Sequence, residues 1–244
     1  MNLAEIVKGM IPKESVDRTY QCDKCHDTGF ISWTDENGIE YAKECTCSVR
    51  SRTIRRLEES GLAEQVERYT FKRFKTDKPY QKDMARKASE YAKGQYKQGR
   101  WFFVGGQSGS GKTHICTAIA GQIIKQGHAA KYMLWREDSM NLKSMVNTEE
   151  YARAIKKYKN VYCLYIDDLF KGRVSEADIN LAFELIDARY RKRYPTIISS
   201  EYTISGIAEI DEAVAGRITE CGTCINIGKD KHKNIRLQGV RQGV

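Results

Sequence analysis

No stretch of this 244-residue chain approaches the roughly 20 consecutive apolar residues that a bilayer-spanning helix needs. The start, MNLAEIVKGM, has no basic segment leading into an apolar run, so it does not read as a secretory leader. No internal repeat and no low-complexity tract occur. Acidic residues are short against basic ones, 32 against 41, which leaves a formal net charge of +9. These absences argue against a membrane protein, a secreted disulfide scaffold and a repeat array. The expectation is a protein of the reducing cytoplasm, without membrane contact, whose eight cysteines are metal ligands or small buried hydrophobes rather than disulfides.

The positive charge is concentrated. Residues 50–100 hold fifteen Lys/Arg against seven Asp/Glu. Such a segment fits a polyanion or an acidic protein surface as partner. It fits a solvated basic helix and linker equally well.

Four of the cysteines fall in the first fifty residues, in CDKCHDTGF (Cys22, Cys25) and ECTCSVR (Cys45, Cys47). Between them, ISWT and IEYAKE flank an Asn37-Gly38 turn, the pattern of a small hairpin. A redox dithiol is expected beside a thioredoxin-like βαβ unit, and none is present here. Four thiolates suit tetrahedral zinc. The second pair is C-x-C rather than C-x-x-C, and His26 is an alternative ligand. A module this short needs a metal to stay folded.

From Arg50 to Leu62 the pattern is helical and basic, residues 64–80 read as a connector, and a helix is expected from Gln81 to about Lys97. After that, apolar strands alternate with helices: WFFVGG (101–106), AAKYMLW (129–135), VYCLYID (161–167), TIISS (196–200) and CINIG (224–228). Alternation of this kind predicts an α/β fold with a largely parallel sheet. In the helix opened by Ser175, whose capping-box partner is Asp178, the residues Ile179, Ala182, Phe183, Ile186 and Tyr190 read as one apolar stripe. The predicted organisation is a four-cysteine zinc module at 1–50, a basic helix and linker at 51–80, and a nucleotide-binding domain at 81–244.

The turn after the first of these strands reads Gly106-Gln107-Ser108-Gly109-Ser110-Gly111-Lys112-Thr113, the P-loop pattern G-x-x-x-x-G-K-[ST]. Glycines let the backbone curl so that its N–H groups face a phosphate, and the following helix presents its positive end to the same anion. Lys112 adds a charge for the β/γ-phosphates of ATP, and the Thr113 hydroxyl is a Mg²⁺ ligand. A P-loop needs a second acidic element, and LYIDDLF supplies it. Asp167 reaches the magnesium, while Asp168 is the candidate to activate water. No lid arginines of a small-molecule kinase and no transporter-type signature loop before Asp167 are found.

The runs WFFVGGQSGSGKTH, LYIDDLFKGRVSEADINLAFELIDARY, YPTIISSEYT and IDEAVAGRI resemble the AAA+ ATPases of the bacterial helicase-loader type, the DnaC/DnaI loaders, with relatives among phage replication proteins and the IstB transposition helpers. The Cys region resembles that of the DnaI-like and phage members. The resemblance covers residues 20–240. It implies an AAA+ core with a five-stranded parallel sheet behind a small zinc-binding module, and self-assembly with ATP at subunit boundaries. It further implies loading of a hexameric replicative helicase onto single-stranded DNA.

Residue by residue, Arg217 matches the arginine that touches a neighbour's γ-phosphate, and Arg236 a second sensor. Many members end the fourth strand on an Asn sensor. Here the strand ends Ser199-Ser200-Glu201, which leaves Ser200 as the candidate. Arg153, Lys156 and Lys157 share one face of a predicted helix. With Tyr151 or Tyr158 as a stacking ring, they are the expected contacts to single-stranded DNA. Helicase contact is expected in the cysteine module and the basic helix after it. A transposition helper ATPase and a nucleotide-switched adaptor with negligible turnover are the competing readings.

Overall fold

A computed structural model of the chain describes residues 20–235. The chain divides into two compact units, Met1–Ser51 and Arg52–Val244.

In the smaller unit, β1 (Phe30–Thr34) pairs antiparallel with β2 (Glu40–Glu44), with Trp33 opposite Tyr41. The Asp35 carboxylate accepts from the amides of Asn37 and Ile39 and so shapes the turn at Asn37-Gly38. Helix α1 (Thr46–Ser60) begins four residues before the expected start at Arg50. Cys47 therefore sits in its first turn, which explains how a C-x-C spacing can converge. Among the described residues of this unit only Cys25 and Cys45 are buried.

The larger unit is built on one five-stranded parallel sheet. Its strands are β3 (Trp101–Gly106), β4 (Ala130–Leu134), β5 (Cys163–Leu169), β6 (Thr196–Ser200) and β7 (Gly222–Ile227), in the spatial order β4-β5-β6-β3-β7. Side-chain alternation along each strand feeds two cores. Phe102 and Val104 point to one face, with α2 (Ala63–Arg68), α3 (Pro79–Lys93) and α4 (Lys112–Lys125). Trp101 and Phe103 point to the other. That face is covered by α5 (Trp135–Ser144), α6 (Glu149–Asn160), α7 (Glu176–Lys192), α8 (Ile204–Ile210) and α9 (Glu212–Cys221). The result is three layers, helix–sheet–helix.

Two expectations change here. Residues 64–80 are not a free connector. Leu62, Val66 and Phe74 are buried in the first core, and α2 lies so close to α4 that a Cβ on Gly121 would meet Val66 at 2.9 Å. In α7 the buried stripe is Asp178, Leu181, Ala182, Leu185, Ile186 and Arg189. Phe183 is exposed and Tyr190 borders the core, because the stripe follows i, i+3, i+4 steps from Asp178 rather than from Ile179. The Ser175–Asp178 capping box is formed.

Arg189 is fully buried and acts as a polar pin. Its guanidinium donates to the carbonyls of Tyr158, Val161, Tyr162 and Pro195 and to the Thr196 hydroxyl. It thereby ties the end of α6 to the entrances of β5 and β6.

Candidate functional site

The carboxyl ends of β3, β5 and β6 lie side by side, the position where open parallel sheets bind ligands. β3 ends in the glycine turn. Gly106 has φ +110, and a Cβ there would stand 2.0 Å from the Ile227 carbonyl oxygen, so only glycine lets the loop leave the sheet beside β7. The loop is held from behind: the Gln107 amide donates to Ile227 O at 3.0 Å, and the Ser110 hydroxyl to Gln107 O at 2.8 Å. Ile235 N donates to Gly109 O at 3.0 Å. Gly111 precedes α4, whose N-terminal amides and positive dipole end face the cleft. Lys112 lies back over the loop and donates to the carbonyls of Gly106 and Gln107, both at 2.9 Å. Burial pulls its pKa below the usual lysine range.

β5 brings the acids. Cys163, Tyr165 and Asp167 alternate onto the α4 side of the sheet, which places Asp167 under the P-loop helix. Asp167 is 3% exposed and collects four hydroxyls. Thr113 Oγ1 reaches Oδ1 at 3.2 Å, Tyr165 reaches Oδ1 at 2.7 Å, and Tyr132 reaches Oδ2 at 3.0 Å. The Ser199 hydroxyl also donates to Oδ1. Burial and the carboxylate push both phenols up, so they stay donors.

Asp168 would face the opposite side of a regular strand. Instead the β5–β6 register slips between Ile166 and Leu169, and Asp168 and Phe170 take left-handed φ of 58° and 62°. Such a bulge re-aims side chains, and backbone strain of this kind tends to be kept where a site uses it. Asp168 thus lines the cleft, its amide on Ser199 Oγ at 2.9 Å and its carboxylate on Lys171 Nζ at 2.6 Å.

The cleft, about 270 Å³, is lined by P-loop residues, Asp168, Lys171 and Glu201, with Tyr69 and His114 on its wall. The His114 ring packs against Tyr69 and Phe74, and its Nε2 meets Thr70 O at 2.9 Å.

Several expected residues stand elsewhere. Ser200 is fully buried; its hydroxyl donates to Leu169 O at 2.7 Å and accepts from Tyr202 N at 3.1 Å, so nothing of it faces a phosphate. The neighbouring Ser199 is the hydroxyl that reaches the acids. Arg217 lies within its own unit between the rings of Phe183 and Tyr190, on Asp187 at 2.8 Å and on Ala213 O at 3.0 Å. Arg236 lies outside the described residues. Arg153, Lys156 and Lys157 are exposed on α6. Tyr151 and Tyr158 do not share their face. They flank buried Ile155, with hydroxyls on Glu184 and Asp138, because they follow the helix's apolar stripe.

In the small unit the four sulfurs of Cys22, Cys25, Cys45 and Cys47 lie within 4.8 Å of one another. Cys22 and Cys45 are 3.8 Å apart and Cys25 and Cys47 3.3 Å. A tetrahedron with metal–sulfur bonds of about 2.3 Å has edges of about 3.8 Å, so the set fits zinc. Asp27 closes the first knuckle by accepting from the amides of Gln21 and Cys22. The Cys47 amide pulls the Cys45 thiol down to about 7, while hydrogen bonds to Cys25 and Cys45 push the Cys47 thiol up to about 12, so the four sulfurs share their protons. His26 is not part of the cluster; its ring lies 4.6 Å from that of Tyr20.

Sequence reasoning did not find Ser199, Tyr132, Tyr165, Lys171 or the Tyr69–His114 wall. The only signal was Lys171 at three residues beyond Asp168.

A strand–glycine loop–helix with Thr113 and Asp167 paired beneath it, at the ends of a five-stranded parallel sheet of this order, defines an AAA+ nucleotide-binding protein. The family described as IstB-like ATP binding protein matches residues 49–230, and the chain belongs to it. It is 32% identical to the phage-like element PBSX protein XkdC of Bacillus subtilis over 94% of this chain and 91% of that protein. To the replicative helicase loader DnaC of Buchnera aphidicola it is 24% identical, over 75% of this chain and 76% of that one. Among solved structures, the DnaC helicase loader aligns with a TM-score of 0.60 at 20% identity, covering 68% of this chain and 99% of that one. DnaI aligns at 0.59 and 19%, covering 67% and 93%. At these identities the structural likeness establishes the fold.

Among the described residues no helix is long and apolar enough to cross a membrane.

Proposed function

We propose that the chain is an ATP-dependent loader of a hexameric replicative helicase onto single-stranded DNA, acting in the cytoplasm as an assembly of several copies. The observation that carries the ATPase part is the Thr113–Asp167 contact of 3.2 Å beneath the P-loop. Hydroxyl and carboxylate there suit Mg²⁺, which would neutralise phosphate charge when bound. The loop amides and Lys112 then hold the phosphates, and Tyr69 and His114 offer an apolar wall for the base. Asp168 is the group to orient water. Arg217, held on Asp187 in the single chain, would leave that carboxylate on assembly to serve a neighbouring copy's site, and Arg236 would serve the chain's own. Arg153, Lys156 and Lys157 provide phosphate contacts to single-stranded DNA. The four-cysteine unit, holding Zn²⁺, presents the helicase-binding surface. The similarity to XkdC spans nearly the whole chain, and the similarity to a protein named replicative helicase loader supports the loader role.

Copurification of the full chain with a replicative helicase tests this. The Cys22→Ser, Cys25→Ser variant should lose the helicase and keep nucleotide. Lys112→Ala should lose ATP binding and hydrolysis. A deletion of the helicase-binding part should stop at 51, not 62, because Leu62 is buried in the larger core. Replacing Arg153, Lys156 and Lys157 by Glu should weaken single-strand binding and flatten its salt dependence. Capture of a transposase instead of a helicase would move the assignment to the transposition helpers that give the matched family its name. Nucleotide binding without turnover, with or without DNA, would make the chain a switched adaptor.

A further inference from the structure

The nucleotide cleft holds a second cation that no motif announces. Lys171 stands in the turn after β5, and its Nζ lies 2.6 Å from Asp168 Oδ2 and 3.7 Å from Glu201 Oε1. All three side chains line the cleft that also holds Lys112 and Thr113. Lys171 and Glu201 also line the adjoining cavity beside the P-loop and α8, of about 730 Å³. Lys112 is tied to two loop carbonyls at the base of the glycine turn, whereas Lys171 sits on the far wall with the acids.

The end of β6 makes this cation necessary. Ser200 spends its hydroxyl on Leu169 and Tyr202, and Ser199 spends its own on Asp167 and Asp168. The one β6-terminal side chain lining the cleft is therefore Glu201, an anion. With Asp168 beside it, this wall would repel a terminal phosphate. An ammonium between the two carboxylates offsets that repulsion, and its reach is suited to exchange. Lysine is a point charge on a flexible stem with three donors. The contact to Glu201, 3.7 Å long between a lysine 37% exposed and a carboxylate 39% exposed, is the weak one, and the 2.6 Å contact to Asp168, whose side chain is 17% exposed, is the one a bound phosphate has to replace.

We propose that Lys171 is a terminal-phosphate sensor. It rests on Asp168 and Glu201 when no terminal phosphate is present. When a triphosphate binds, it moves its ammonium to the γ-phosphate. That motion discriminates triphosphate from diphosphate and frees the Asp168 carboxylate to meet water. Lys171 thus contacts the substrate itself and, by leaving Asp168, also releases that carboxylate; it takes over the task that a polar side chain at the end of β6 would have performed. The proposal rests on the ATP-binding reading of the cleft.

Calorimetry on the full-length protein with Mg²⁺, using ADP and a non-hydrolysable ATP analogue, tests it. Lys171→Met should weaken the triphosphate about tenfold and ADP less than twofold. Lys171→Arg, which keeps the charge, should recover most of the loss. Glu201→Gln should tighten the triphosphate severalfold and leave ADP unchanged. A Lys171→Met variant whose triphosphate-to-diphosphate ratio equals that of the wild type overturns the sensor, whether both affinities hold or both fall together. A wild-type protein that binds neither nucleotide overturns the ATP-binding reading, and the sensor with it.

Discussion

Tyr20, Phe30, Trp33, Ile39, Tyr41 and Val49 of the small unit are all exposed, while Trp101, Phe102, Phe103 and Tyr165 of the larger unit are fully buried. The first set is as apolar as the second, yet among the described residues of that unit no second layer covers the hairpin. What the small unit has instead is four sulfurs in one place. The larger unit has two apolar cores, one on each side of its sheet. One chain thus offers two ways of overcoming chain entropy, four thiols placed to hold a metal in the small unit and apolar burial in the large one.

Metal removal should separate the two most sharply. If the four cysteines hold zinc as proposed, chelating it from the full chain, or the Cys22→Ser, Cys25→Ser double change, should unfold residues 20–51, since structural zinc contributes about 10–16 kcal/mol in zinc-finger peptides. Amide exchange and Trp33 fluorescence report the loss, with one metal per chain released, while protection across β3–β7 persists. Retained protection of the hairpin without metal would break the comparison.

Next in size is Arg189→Met. It leaves four carbonyls and a hydroxyl in the larger core without their donor, and should cost about 3–5 kcal/mol by urea titration with no change in metal content. A variant that also released metal would show the two units to be one cooperative system.

Tyr165→Phe removes one of four hydroxyls from Asp167 and should cost about 1–2 kcal/mol. Mg²⁺-dependent nucleotide affinity should fall more than Mg²⁺-free affinity, which simple loss of packing would not produce.

The smallest effect is expected for Trp33→Ala. It deletes a stacked cross-strand pair with Tyr41, ring centroids 5.7 Å apart, worth about 0.5–1 kcal/mol, and it should leave zinc content intact.

Much of this was readable from residue types. The cysteine spacing, the glycine turn and the strand-ending acids are short local patterns whose chemistry depends on few neighbours. The number and order along the chain of the five strands were legible because buried parallel strands are continuous apolar runs. Other features were not. Val66 and Phe74 sit in a segment too short and too charged to look like core, and only the groove beside α4 gives them a place. Ser199 and Ser200 are chemically identical in the sequence. Which one meets Asp167 depends on a register slip in the neighbouring strand.

By itself the sequence determined that this protein holds four cysteines ahead of a phosphate-binding loop pattern, that a hydroxyl and an acid accompany that loop, and that the sheet is parallel. Those follow from bonding capacity and from periodicity, both local properties. The tertiary structure alone decided what the cleft's wall is made of. A bulge and two left-handed residues turn Asp168 toward the loop, the β5–β6 pairing sends Ser200 inward, and Lys171 comes to rest between Asp168 and Glu201. Glu201 is thirty residues from Lys171 along the chain, and only pairing of β5 and β6, the strands they follow, makes these charges neighbours.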